Sequence, residues 1–184
     1  MPPLSIREDQ LVPSAVWTYY ETAREAVSKL QADTVSRIAT DVASLSVTAY
    51  SGKTLAEIED YFNTVLEEVD HHACMDLIAA AEAAIQVDCR KRIEARKKDP
   101  VSKSFRSLKK KTHNLRKIKF DSEILETWVS QRSGCKKAIG DFRGAWKYRN
   151  WLAHGRYWEY NTRYYPPAVL RIIQEMFAKM EITL

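Results

Sequence analysis

Apolar residues recur along this chain at intervals of three and four, the spacing that gathers side chains on one face of an α-helix. Between Ser14 and Ser46 there is neither Gly nor Pro, and Val27, Leu30, Thr34, Ile38, Val42 and Leu45 keep the helical interval. Ser14 is placed to cap this helix, after an irregular start over residues 1–13 punctuated by Pro2, Pro3 and Pro13. Ser51-Gly52 closes it. Thr54 opens a second helix, with Glu57 at capping-box spacing and a stripe of Leu55, Ile58, Phe62, Val65 and Val69. A third pattern, from about Cys74 to Lys98, repeats Leu77, Ala81, Ile85, Cys89 and Ile93 every four residues until Pro100 stops it. Asp121 is placed to cap SEILETWVSQ, a further helix runs from about Cys135 to Gly155, and AVLRIIQEMFAKM closes the chain. The expectation is one all-α domain over residues 1–184, a bundle of about six helices.

Composition agrees with this reading: 5 Gly and 6 Pro in 184 residues are too few for a many-turned β fold. No uncharged run is long enough for a membrane span; even Leu77–Val87 is broken by Glu82. MPPLSIREDQ has neither the basic start nor the apolar run of a cleavable signal. Cys74, Cys89 and Cys135 are too few and too scattered for a disulfide framework, so a cytoplasmic protein is expected. Charge changes the picture more. Residues 90–119 hold 14 Lys or Arg against Glu94 and Asp99, a local balance of +12 in a chain of net +5, so the rest carries −7. The basic segment, about 99–120, is expected to be partly loop. It reads equally as a solvated face or as a patch for nucleic acid, whose binding would weaken with salt.

The helix from Cys135 onward carries the chemistry. At 100° per residue, Ala138, Ile139, Phe142, Ala145, Trp146, Leu152 and Ala153 fall on an arc about 140° wide, and Arg149 falls near its middle. A guanidinium cannot shed its charge, so among apolar neighbours it needs an anion: a carboxylate such as Glu82 or Asp88, or a phosphate. Asn150 and His154 share the flank beside the arc with Arg143 and Lys147. An imidazole with an ordinary pKa near 6.5 exchanges protons near neutrality. It can deprotonate a ribose 2′-OH or protonate a leaving 5′-oxygen, while a guanidinium holds the phosphate oxygens. The 2′-OH is the nucleophile, so neither a metal nor a cofactor is needed. Taken alone, the spacing fits a core ion pair at Arg149 and a helix-end histidine at position 154 better than it fits catalysis.

The block IGDFRGAWKYRNWLAHGRYW, residues 139–158, resembles the motif helix of the HEPN superfamily: Arg, a polar residue, a short spacer, then His. RNWLAHGRYW is most similar to the RiboL-PSP branch. The resemblance implies a helical bundle that forms homodimers, with two motif helices making one composite site. It further implies a metal-independent endoribonuclease leaving 2′,3′-cyclic phosphate and 5′-OH ends. Such proteins serve as toxins, neutralised by antitoxins, or as anti-phage effectors. By position it makes Arg149 and His154 catalytic and Asn150 their support. Lys147, Arg143, Arg156 and Tyr157 are expected to bind RNA, with Glu82 behind Arg149. One toxin branch carries a tyrosine two residues after the histidine; here that place is Arg156, and Tyr157 follows.

Nine of the 19 aromatic residues lie between Phe142 and Tyr165, including Tyr157, Trp158, Tyr160, Tyr164 and Tyr165. They serve either as a base-stacking platform or as packing at a core or dimer interface. His71, His72 and Cys74 fit no structural zinc spacing. Asp141 sits one helical turn from Lys137, a spacing for a local pair. Two other readings stand: a non-catalytic helical module that binds nucleic acid or protein, and a dimerisation domain from a larger defence protein.

Overall fold

In a computed structural model, the chain is described over residues 11–40, 50, 52–113 and 117–182. Six α-helices are found among them, and no strand: α1 (Pro13–Thr40), α2 (Leu55–Glu94), α3 (Pro100–Thr112), α4 (Glu126–Gln131), α5 (Lys136–Ala153) and α6 (Pro166–Met180). A π-helical turn, Phe120–Leu125, leads into α4, and a 3₁₀ turn, Ser133–Cys135, into α5. The all-α expectation holds. Residues 1–10 of the irregular start, the helix end at Val42, Leu45 and Ser46, and Ser51 lie outside the described residues.

The largest departure from the sequence reading is α2, one unbroken helix of 40 residues where two were expected. Its N-terminus is as read: the Thr54 side chain accepts from the Glu57 N–H, and Glu57 in turn accepts from the Thr54 N–H at 2.7 Å. The expected break at Asp70-His71-His72 is absent because no glycine or proline interrupts the ladder, and His71, Ala73 and Cys74 are buried. Asp70 binds the neighbouring helix, accepting from Arg24 and from the Tyr20 hydroxyl at 3.1 Å.

Three other boundaries move for local reasons. Pro13 belongs to α1 rather than to an irregular start. Pro100 follows the end of α2 but is itself a first-turn residue of α3, where its missing N–H has no intrahelical partner to lose. Asp99 caps that helix, accepting from the Ser102 N–H at 3.0 Å and from its hydroxyl at 2.6 Å. Residues 100–112 are therefore helix, not loop; residues 114–116 are outside the described part. Finally, Asp121 caps nothing. Glu123 accepts from the Lys119 N–H at 2.6 Å, and Asp121 turns to the Arg143 guanidinium instead.

The core lies between the second half of α2, α5 and α6, closed by α3 and α4. Leu77, Ile78, Ala81 and Ile85 of α2 meet Ile139, Phe142 and Ala145 of α5, Val169, Ile173 and Phe177 of α6, Phe105 of α3 and Trp128 of α4. On α1 Val16 joins this cluster with Trp17 packed against it, and Leu30 is exposed. After α5 the chain returns across the bundle through residues 155–165, fixed by Tyr160 and Tyr164 packing on Tyr148, with ring centroids 5.6 and 5.4 Å apart. The return lies so close to α5 that a Cβ at Gly144 would fall 2.5 Å from the Tyr164 hydroxyl oxygen. Gly144→Ala should therefore destabilise. Overpacking of about 1–3 kcal/mol outweighs the gain of about 1 kcal/mol in helix propensity. Thermal unfolding should show a midpoint lowered by a few degrees.

Candidate active site

Alternation along α5 buries Ala138, Ile139, Phe142, Ala145 and Tyr148. This face brings Arg149 over α2, where its Nη2 donates to Glu82 Oε2 at 3.1 Å. The same carboxylate oxygen accepts from Trp146 Nε1 at 3.1 Å, so one half-buried acid on α2 fixes two side chains of α5. Arg149 Nη1 donates to Asn150 Oδ1 at 3.1 Å. The carboxylate expected behind Arg149 is thus Glu82; Asp88 pairs with Arg92 at 2.7 Å. Two of the five guanidinium N–H donors are engaged in these bonds, leaving three for a ligand.

His154 closes α5. Its backbone N–H donates to Asn150 O at 3.1 Å, and its exposed side chain lies beside Trp158, with ring centroids 6.2 Å apart. The chain then turns back through Gly155 at φ 79° and Arg156 at φ 57°. Gly155 carries that left-handed conformation without a Cβ penalty. Arg156 is held in it by two contacts with Glu68, at 2.6 and 3.1 Å.

The other predicted RNA-binding residues divide. Lys147 and Tyr157 are exposed, Tyr157 at 81% with its ring edge-on to Trp158. Arg143 is tied to Asp121 at 2.6 Å and to Glu126 at 3.0 Å, and Arg156 to Glu68, so both guanidiniums already have carboxylate partners. Asp141 pairs with Lys137 at 2.6 Å, as the spacing anticipated. In the basic segment, Lys103, Lys109, Lys110 and Lys111 are exposed on α3, whereas Arg92 is buried against Trp128.

A second cluster escaped the sequence reading. His71 of α2, weighed there for zinc and set aside, is buried beside the turn that follows His154, and its Nδ1 lies 2.9 Å from Arg156 Nη1. A guanidinium only donates, so Nδ1 accepts and the neutral ring carries its proton on Nε2. Burial lowers the His71 pKa, and Arg156 and Arg163 add to this against the opposing pull of Glu68 and Glu67. The neutral form is thus favoured in the folded state. Stability should be constant above the unfolded-chain pKa of about 6.5 and fall as pH drops below it. Melting curves between pH 7.5 and 5.5 should show this fall, and His71→Gln should flatten it. Among the described residues no group of three or more His, Cys, Asp or Glu is placed to hold a metal ion. Burial pushes the Cys74 and Cys89 thiols up to about 12, which leaves neither as a thiolate nucleophile.

No helix among the described residues is long and apolar enough to cross a membrane. Comparison with protein-family models, curated proteins and solved structures finds no match.

Proposed function

We propose that this protein is a metal-independent endoribonuclease of the HEPN type, acting on RNA at the C-terminal end of α5. The observation that carries the reading is the pair of differently held groups there: a guanidinium fixed by Glu82 and Asn150 with donors to spare, and an exposed imidazole five residues further on. In the proposed reaction the ribose 2′-oxygen attacks the adjacent phosphorus as the bond to the 5′-oxygen breaks. The imidazole of His154 takes the 2′-OH proton or supplies one to the leaving oxygen. Arg149 stabilises the charge on the phosphorane oxygens. Two copies of the motif helix, facing each other in a homodimer, would supply both base and acid. The exposed lysines of α3 attract the RNA backbone. The biological role that goes with this chemistry is a toxin held by an antitoxin, or an anti-phage effector, in the cytoplasm.

The test is purified protein with RNA in excess EDTA. Cleavage giving 2′,3′-cyclic phosphate and 5′-OH ends is expected. RNA that stays intact while still binding would favour the runner-up, a non-catalytic RNA-binding module, for which the exposed cations of α3 suffice.

A further inference from the structure

Beside the candidate catalytic end of α5 lies a cleft of about 280 Å³, just below the size range typical of small-molecule sites. Its aromatic wall is a stack: Trp151 lies nearly parallel to Tyr148 and to Tyr160, with centroids 5.5 and 5.7 Å apart. Its polar wall is two ion pairs, Arg156 with Glu68 and Arg163 with Glu67. His71 lines it too, with Nδ1 accepting from Arg156 and its proton on Nε2. Tyr148, another lining residue, is 1% exposed, and its hydroxyl is shut off from solvent without a hydrogen-bond partner. A buried phenol left unpaired is costly and rare in a finished structure. Here the hydroxyl sits too deep for an occupant of the cleft to reach, and Tyr148 serves as wall.

The chemistry of the walls selects the occupant. Two carboxylates balance two guanidiniums, so the cleft offers no net positive charge to a free phosphate. An apolar ligand would strand the imidazole N–H and set the two ion pairs against hydrocarbon. A flat, neutral group with donors and acceptors on its edge can pair with the imidazole N–H and with the remaining lone pairs of the acids, and its face suits an aromatic wall. A nucleobase has these properties, and single-stranded RNA is read by stacking and edge hydrogen bonds. The cleft is also tied to the catalytic end: Trp151 Nε1 donates to Trp158 O at 2.6 Å, and the Trp158 ring neighbours His154.

We propose that this cleft receives one unstacked RNA base, that of a nucleotide flanking the scissile phosphate, with its ring on Trp151 and its edge read by His71 and Glu67. Its place in the reaction rests on the ribonuclease reading above; base binding itself does not. Thr162 lines the cleft and is exposed, so Thr162→Trp fills the space without disturbing the core. The first measurement titrates adenosine, cytidine, guanosine, uridine and inorganic phosphate into wild type and Thr162→Trp. The second sequences the cut ends of RNA treated with each protein. One nucleoside should bind saturably, at least tenfold more weakly to Thr162→Trp, and the same base should dominate one side of the cuts. In the variant that preference should flatten while cutting continues. Binding of phosphate but of no nucleoside overturns the proposal, as does nucleoside binding that Thr162→Trp leaves unchanged. Cutting with a preference for a base the cleft does not bind also overturns it. If wild type cuts no RNA, the ribonuclease reading fails, and the titration alone still decides whether the cleft is a base site.

Discussion

His154→Ala is expected to lower the rate of RNA cleavage by about 10²–10⁴-fold, the usual worth of a positioned general acid or base, with an unchanged melting temperature. The two halves of this expectation come from different features. The activity loss follows from chemistry, since no other imidazole follows Arg149 on α5. The unchanged stability follows from geometry: the side chain is exposed, and its tie to the helix, N–H to Asn150 O, is backbone and survives truncation. The loss of a ring at the C-terminal end of the helix costs less than about 1 kcal/mol. His72→Ala is the control. It removes another exposed imidazole, on α2, and should cleave as wild type does. Equal activity of wild type and His154→Ala in parallel preparations, with identical product ends, would remove the imidazole from the mechanism.

What the sequence made legible follows from what a linear pattern encodes. The apolar arc of α5 and the odd arginine within it are consequences of a 3.6-residue period. The arginine survives, with Glu82 as its partner, and so does most of the arc, although Ala153 is exposed and Tyr148 is buried in addition. The capping box at Thr54 is equally local and was readable for that reason. The continuity of α2 was not, because a polar Asp-His-His run looks like an interruption until the burial of His71 and the partners of Asp70 on α1 are known. Asp121 failed as a cap for the same reason: its partner, Arg143, is 22 residues away. The cleft is the extreme case. It joins one face of α2, the end of α5 and the return segment, and it exists only because Gly155 and Arg156 turn the chain back at positive φ. Nothing in the spacing of His71, Trp151 and Arg163 announces that they meet.

Arg149→Ala is the second large effect: a fall in kcat of about 10²–10³-fold, the range seen when one donor to a developing oxyanion is removed. Arg149→Lys discriminates charge from geometry. An ammonium restores the charge but not the planar fork that reaches Glu82, Asn150 and a phosphate at once, so it should recover little of the lost rate. Stability should move modestly, by about 1 kcal/mol, since Glu82 keeps Trp146 Nε1 and Gln86 Nε2 as donors. Glu82→Gln completes the set. Its amide oxygen can still accept from Trp146 and Arg149, so the fold should persist, while the guanidinium loses the charge that orients it. A positioning role for Glu82 predicts a reduced kcat in Glu82→Gln and a double variant, Glu82→Gln with Arg149→Ala, no slower than Arg149→Ala alone, because the carboxylate acts only through the arginine. A purely structural ion pair predicts the reverse: lower melting temperatures for Arg149→Ala and Glu82→Gln with full cleavage rates. That result would return Arg149 to the core and take the phosphate-gripping guanidinium out of the proposal.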